Sequence, residues 1–275
     1  MKFVESKNGA HTIPMVNKAL ELVRVLAAAD EETTTKALAL RLGLPRSSCY
    51  RILRSLVAQD WVRPLAGGRH ELSPGLLPVL EPLRRFEVLA EAVNPVIRAL
   101  ALRTQLTVKL TVRQGDDAVT IARCESPQGT SVGVRVGASF PLPYGSSGAV
   151  LLSDLGAEEV ADILQRAASE CWQHQTRNDV SRRLRELRSK GWCADLGTFR
   201  PSCFAVSAPV RDAQGRVAAA LTVLGFPHEM TNKKLPEVGR AVADAAQQAG
   251  RLLRKVAPRP ASHGKHKRCG REQSK

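Results

Sequence analysis

Residues 46–58, RSSCYRILRSLVA, divide into two faces, and that division constrains the chain more than any other feature. Cys49, Ile52, Leu53 and Leu56 fall at i, i+3, i+4 and i+7, the apolar stripe of a helix. Ser47, Tyr50, Arg51 and Arg54 repeat that spacing on another face, and the next acid is Asp60. Such a helix packs on one side and presents two guanidinium groups, a hydroxyl and a phenol on the other. The preceding segments are patterned too. Residues 16–29 place apolar side chains at 16, 19, 20, 23, 26 and 27, again at helical spacing. Thr33, Thr34 and Thr35 offer N-cap hydroxyls to a short helix, KALALRL. Gly43 suits its left-handed C-cap, and Pro45 suits the first turn of the third helix. Beyond that helix, WVRPLAGGRHELS sets short apolar–polar segments around Gly67-Gly68. This predicts a small β-hairpin carrying Arg63 and Arg69.

Helix, helix, Gly-containing turn, Arg/Ser-rich helix and Gly-Gly hairpin form the order of a winged helix-turn-helix. The third helix of that unit fits a DNA major groove about 12 Å wide. Residues 33–72 carry seven Lys/Arg against two Asp/Glu, the local excess that phosphate attraction needs. Ser47, Tyr50, Arg51 and Arg54 are therefore expected at base edges or in the groove. Arginine there pairs bidentately with guanine O6 and N7, or contacts phosphate as a charge. Thr35, Arg46 and Ser48 are expected at phosphates, through side chains or helix-terminal N–H groups. Arg69 is expected as a wing contact to the backbone or minor groove. Two plainer readings stand beside these: arginines that only solvate a helical packing module, and a half-buried Tyr50 ring. Charge alone does not separate them from DNA binding; the order of the elements does.

The chain has 275 residues, a formal net charge of +15 and 43% apolar residues, enough for two domains with their own cores. That charge favours a polyanionic partner. No run of about 18 uncharged apolar residues exists to span a membrane. MKFVESKNGAHTIP lacks the apolar run of a secretory signal, so a cytoplasmic protein is expected. Cysteines stand at 49, 124, 171, 193, 203 and 269, with no CxxC pair and no histidine at finger spacing. They read as reduced thiols rather than zinc ligands, and His263 and His266 as solvated. GxSxG, HExxH, P-loop and GxGxxG patterns are missing. No metal, cofactor or catalytic residue is expected.

Pro74, Pro78 and Pro82 mark a linker over 74–92 that ends in a helix-like stretch, LRRFEVLAEAV. A helix at 95–104 opens a second domain. Strand-like runs follow at 106–112, 117–123 and 130–136, then a loop and short helix over 137–152. Helices are expected at 157–168 and 179–190, and strands at 192–196, 203–211 and 216–224. Residues 212–215 form the turn between the last two strands, and a final helix runs over 231–256. The organisation is thus a winged helix at 14–73, a linker at 74–92, a second domain at 93–256, and a basic disordered tail at 257–275. The tail either solubilises the chain or acts as a nonspecific DNA arm.

Within the second domain, PLPYGSSG (141–148) leads into an apolar helix. Ser146, Ser147 and the N–H groups of a helix start make an anion-receptive spot. Cys193, Asp195, Thr198, Ser202 and Cys203 lie on and between two later strands. The bland alternative is a helix cap at Gly145–Gly148 and an ordinary polar loop.

The run VNKALELVRVLAAADEETTTKALALRLGLPRSSCYRILRSLVAQDWVRP resembles the DNA-binding domain of IclR-type bacterial transcriptional regulators. SVGVRVGASFPLP, GSSGAVLL, LRELRSKGWCADLG and AVSAPVRDAQGRVAAALTVLG resemble their effector domain, and together the likeness covers 14–256. It implies an α+β chain: an N-terminal winged helix, a linker helix and a C-terminal GAF-like α/β domain. It also implies homodimers, often paired into homotetramers, on palindromic or repeated operators. The implied effector cavity is lined by Gly145, Ser146, Ser147, Gly148, Cys193, Asp195, Thr198, Ser202 and Cys203. The chain departs from the pattern at several positions. Many relatives carry Thr near Gly145, Lys where this chain has Ala149, acids where it has Gly197 and Thr198, and Gly where it has Ser202. The scaffold carries over and the ligand does not. Those changes suggest a less charged pocket, with an aromatic acid still open and loss of sensing also open. The resulting expectation is a ligand-responsive transcriptional regulator that binds operator DNA and a small organic acid or aromatic metabolite. The alternatives are an architectural DNA-binding protein with a structural second domain, or an enzyme using Ser146, Ser147, Cys193 or Cys203 as nucleophile. The enzyme reading lacks a placed base, since no histidine lies between His70 and His174.

Overall fold

The computed structural model describes residues 13–28, 33–128 and 132–255. The predicted basic tail lies outside these residues. The chain divides at the Arg84–Arg85 peptide into two compact units.

The first unit holds α1 (Pro14–Ala27), α2 (Thr35–Leu42), α3 (Arg46–Ala58) and a hairpin of β1 (Val62–Pro64) and β2 (His70–Leu72). Leu22, Leu26, Leu38, Leu42, Cys49, Ile52, Leu53 and Val62 form its core. The α3 apolar stripe faces inward as its spacing requires, with Leu56 packed at the edge. The Thr34 hydroxyl accepts from the Ala37 N–H at 3.3 Å and caps α2, worth about 1 kcal/mol. Gly43 ends α2 in the left-handed region, with φ 61°. The hairpin pairs Val62 with Leu72, Arg63 with Glu71 and Pro64 with His70. Its tip turns through Gly67 and Gly68, both at positive φ. An isolated bridge joins Thr34 to Arg69, and the His70 N–H donates to Thr33 Oγ1 at 3.3 Å. The wing is thereby tied to the start of α2. Beyond β2 lie a 3₁₀ turn at Pro74–Leu76, α4 (Leu77–Leu80) and a second 3₁₀ turn at Glu81–Leu83.

The second unit opens on α5 (Arg84–Thr104), one helix where the sequence reading expects a linker helix and then another. Pro95 lies inside it and removes one backbone hydrogen bond. Val93, Val96, Ile97, Leu100 and Ala101 form a continuous buried stripe across that position, which holds the two halves in one helix. The remaining elements are β3 (Thr107–Gln114), β4 (Asp117–Cys124), β5 (Ser139–Pro141), α6 (Gly145–Leu152), α7 (Ala157–Arg166), α8 (Arg177–Lys190), β6 (Cys193–Arg200), β7 (Cys203–Arg211), β8 (Val217–Gly225) and α9 (Leu235–Lys255). The six strands form one antiparallel sheet in the order β5-β4-β3-β8-β7-β6. The strand expected at 130–136 is not formed over 132–136. The edge of β4 pairs instead with Ser139–Pro141, and the Gly137 N–H donates to the Thr120 carbonyl at 2.8 Å.

The sheet has two covered faces. Val108, Leu110, Val112, Val206, Ala208, Val210, Leu221 and Val223 pack with α5 and α9. On the other face α6, Ile163 and Leu164 of α7, and Val180 and Leu187 of α8 enclose a second core with Ala118, Cys193 and Ala220. Strand alternation puts Thr107, Lys109 and Thr111 of β3 on this second face. All three are buried.

Candidate nucleic-acid interface and effector site

In the first unit, α3 presents its polar face as predicted. Ser47, Tyr50, Arg51 and Arg54 are exposed. Tyr50 is 53% exposed, so its ring is not part of the core. The Arg54 guanidinium reaches the Tyr50 hydroxyl at 3.5 Å, one helical turn away. Arg46 is the first residue of α3 and is exposed, whereas Ser48 and Thr35 are half-buried. Arg69 is exposed beside the tip of the wing, its Nε donating to the Ala66 carbonyl at 3.4 Å. Arg63 differs, because the cross-strand carboxylate of Glu71 pairs with it. Among the described residues no carboxylate pairs with Arg46, Arg51, Arg54 or Arg69, so their charge faces outward. One helix face and one wing tip thus carry unneutralised guanidinium groups, which fits a phosphate backbone and guanine edges.

In the second unit, Gly145–Gly148, Cys193, Asp195 and Thr198 of the predicted effector residues come together at the start of α6. Gly145, Ser146, Ser147 and Gly148 form its first turn, and all four are buried. Two glycines make that placement possible. Gly145 takes φ 63°, and a Cβ on Gly148 would lie 1.9 Å from the Leu142 carbonyl oxygen. No side chain caps α6. Ser146 Oγ is 2.8 Å from Ser207 Oγ, which is 2.8 Å from Thr222 Oγ1. This buried hydroxyl chain runs from the helix onto β7 and β8. The Cys193 thiol donates to the Ser146 carbonyl at 3.5 Å, and burial pushes its pKa far up. Burial also raises the half-buried Cys203. Both are therefore thiols, not thiolates, at neutral pH.

Asp195 is buried and committed internally. It accepts from the N–H groups of Thr198 at 2.9 Å and Phe199 at 3.3 Å, and from the Thr198 hydroxyl. Its carboxylate is 3.3 Å from the guanidinium of Arg183, whose side chain is 0% exposed. Arg183 also donates to Gln175 Oε1 at 2.9 Å and to the Thr198 hydroxyl. Gln175 Nε2 in turn donates to the Pro143 carbonyl at 3.0 Å. One guanidinium thus joins the entry loop of α6 to the end of β6. Tyr144 stacks on Phe199 with centroids 4.4 Å apart, closing the same junction. Ser202 stands apart, exposed on the β6–β7 turn.

Arg183, Gln175, Ser207, Thr222 and Lys109 are absent from the sequence-derived site. Arg183 had a signal: with Val180, Leu184 and Leu187 it completes an i, i+3, i+4, i+7 stripe, so a charge occupies a core-facing position. A cavity of about 640 Å³ lies elsewhere, between Phe86, Leu89, Val112, Leu151, Leu155 and Val217. Another of about 490 Å³ lies between α8, β7 and α9. Neither is lined by a predicted effector residue.

Comparison with known proteins matches residues 15–66 to the IclR helix-turn-helix domain and residues 83–251 to a family described as bacterial transcriptional regulator IclR C-terminal. The chain is 23% identical to the HTH-type transcriptional regulator KipR of Bacillus subtilis over 86% of this chain and 96% of that protein. It is 24% identical to the HTH-type transcriptional repressor AllR of Escherichia coli K12, over 86% of this chain and 89% of that one. Among solved structures it resembles an IclR homologue from Microbacterium hydrocarbonoxydans complexed with 4-hydroxybenzoate. That likeness has a TM-score of 0.65 and 19% identity, over 88% of this chain and 99% of that one.

Proposed function

The chain belongs to the IclR family of bacterial transcriptional regulators, which bind DNA, and from that premise we propose that this one is a ligand-responsive regulator sensing a small organic acid or aromatic metabolite. The carrying observation is the unneutralised face of α3, with Arg51 and Arg54 exposed one turn apart in a helix without an acid. Two such helices in a homodimer or homotetramer would meet half-sites about 34–36 Å apart when both face one side of the DNA. A ligand with unequal affinity for two states of the second unit shifts their populations and so alters operator affinity. The relative bound to 4-hydroxybenzoate supports a small acid as the class of effector. The protein acts in the cytoplasm, where its thiols stay reduced and its DNA lies. Ser146 is held by Ser207 and burial keeps the Cys193 and Cys203 thiols protonated, which favours a binding role over a catalytic one.

Selection of genomic DNA by the full-length protein near physiological salt tests this reading. A short palindromic or repeated site should be enriched. Arg51→Ala with Arg54→Ala should abolish the enrichment while leaving the fold intact, each change costing about 1–3 kcal/mol of specific binding. Binding that is salt-sensitive and indifferent to sequence would overturn it in favour of an architectural protein.

A further inference from the structure

Lys109 is the cation that the rest of the second unit does not account for. It lies in the middle of β3, 8% exposed, on the sheet face that α6 covers. Strand register sets it in one cross-strand row with Cys193, Ser207, Thr222 and Arg123. The row therefore continues the hydroxyl chain that starts at Ser146. The Lys109 ammonium lies 4.4 Å from the centroid of the Phe140 ring. Among the described residues it has no hydrogen bond and no ion pair, and its Nζ, unlike the Thr111 hydroxyl, is not fully enclosed, so the ammonium keeps an opening to solvent from a side chain that is otherwise buried. Its two charged or ionisable neighbours of consequence are Cys203, a raised thiol, and Arg200, another cation. Arg123, opposite it on β4, is already paired with Glu125 at 3.0 Å. Thr111, the next residue of β3 on the same face, has a buried hydroxyl with no partner.

A buried ammonium without a carboxylate is costly, because desolvation is repaid only by a paired charge and hydrogen bonds. A ring face offers a weak attraction beside that need. Lys109 nevertheless has the Arg200 cation, the Cys203 thiol and the Phe140 ring as its neighbours, with the Thr222 hydroxyl beside it in the strand row and an uncapped helix start on the same face. The cation, the hydroxyl and the helix start each favour a negative group. We propose that Lys109 supplies the counter-charge of the effector site, and that the site takes a small organic carboxylate seated against its ammonium. The proposal deepens the effector reading above and rests on it. It also reverses one expectation from the sequence, a pocket depleted of charge by the change to Ala149. The cation is present, but on the sheet instead of the helix. Burial lowers the Lys109 pKa to about 8, so the ammonium remains mostly protonated at neutral pH and a bound anion would restore it further.

The test uses the full-length protein and three probes, acetate, benzoate and 4-hydroxybenzoate, each beside its neutral amide, with inorganic phosphate as a separate arm. Thermal shift and calorimetry are read on the wild type, Lys109→Met and Lys109→Arg. At least one carboxylate should bind the wild type, with its amide and phosphate inert. Binding should weaken roughly 10- to 100-fold in Lys109→Met and persist in Lys109→Arg. Without ligand, Lys109→Met should melt no lower than the wild type, since it removes an unpaired buried charge. The proposal is overturned if carboxylates bind Lys109→Met as well as the wild type, if none binds the wild type, or if ligand-free Lys109→Met melts lower. Phosphate binding in place of every carboxylate also overturns it, as does binding of the amides alone. Amide binding that both proteins share would leave an effector site standing without its anion. The regulator reading fails separately, by loss of operator selection.

Discussion

Arg183→Met isolates the group that ties the entry loop of α6 to β6, on the proposed effector side of the second unit. The wild-type guanidinium is wholly buried, 3.3 Å from Asp195, and donates to Gln175 at 2.9 Å. Methionine fills much of the same volume and removes the charge and the donors. Asp195 is then left ionised in the interior, and breaking one partner of a buried ion pair costs about 3–5 kcal/mol. An unpaired Gln175 carbonyl would add about 1–3 kcal/mol. Against that, Asp195 keeps the N–H groups of Thr198 and Phe199 and the Thr198 hydroxyl. The sum should stay near 3–5 kcal/mol. For a domain of this size that is a fall in Tm of roughly 6–20 °C.

Trp172 and Trp192 report on this unit and Trp61 on the other, so denaturant unfolding by fluorescence in a Trp61→Phe background reads the right transition. One further result follows from the same geometry. Adding Asp195→Asn should recover part of the loss, with a coupling of about 1–3 kcal/mol. A loss below about 1 kcal/mol, or a strictly additive cycle, would refute the claim that this guanidinium holds Asp195 and the α6 entry loop.

Gly148→Ala should destabilise the second unit by about 1–3 kcal/mol, because the added Cβ meets the Leu142 carbonyl at 1.9 Å; chemical denaturation checks it, and an unchanged midpoint would sink the close approach. Asp179 closes the capping box of α8, and the Thr176 N–H, followed by the Thr176 hydroxyl and Arg182, holds its pKa down to about 2 from 3.8. Its contribution is therefore present above about pH 4 and is lost as pH falls through about 2. In this partly exposed setting it is worth about 1 kcal/mol. Asp179→Asn should lower neutral-pH stability by that amount and flatten this part of the acid limb of the stability curve; an unaltered acid limb would count against the capping carboxylate.

The first unit was legible because its signals are local. The faces of α3, the Thr34 cap, Gly43 and the Gly-Gly tip each act within a few residues, and each stands in the structure where the pattern put it. What periodicity could not supply was the choice between competing partners. Ser-Val-Gly-Val-Arg-Val alternates like a strand, yet the β4 edge takes 139–141. Two helical patterns separated by Pro95 read as two helices until a single buried stripe is seen to run through both. In each case a tertiary contact overrode a local rule.

The residues proposed for the effector site show a different limit. The sequence identifies which polar groups gather, but not which of them the protein has already used. Asp195 reads as a candidate ligand contact, yet Arg183 and two backbone N–H groups occupy it. Ser146 reads as an anion donor, and it is bonded to Ser207. Lys109 reads as an ordinary strand lysine, because Leu-Thr-Val-Lys-Leu-Thr-Val gives no sign that α6 and Phe140 cover both Thr and Lys. Buried polar groups must find partners, so a site is best located by subtracting those that have them. Among the described residues of the second unit that subtraction leaves the Lys109 ammonium, the Thr111 hydroxyl, the Nε–H of Arg183 and the uncapped start of α6. The strongest charge among them is positive, and an anionic ligand is the occupant that would satisfy it.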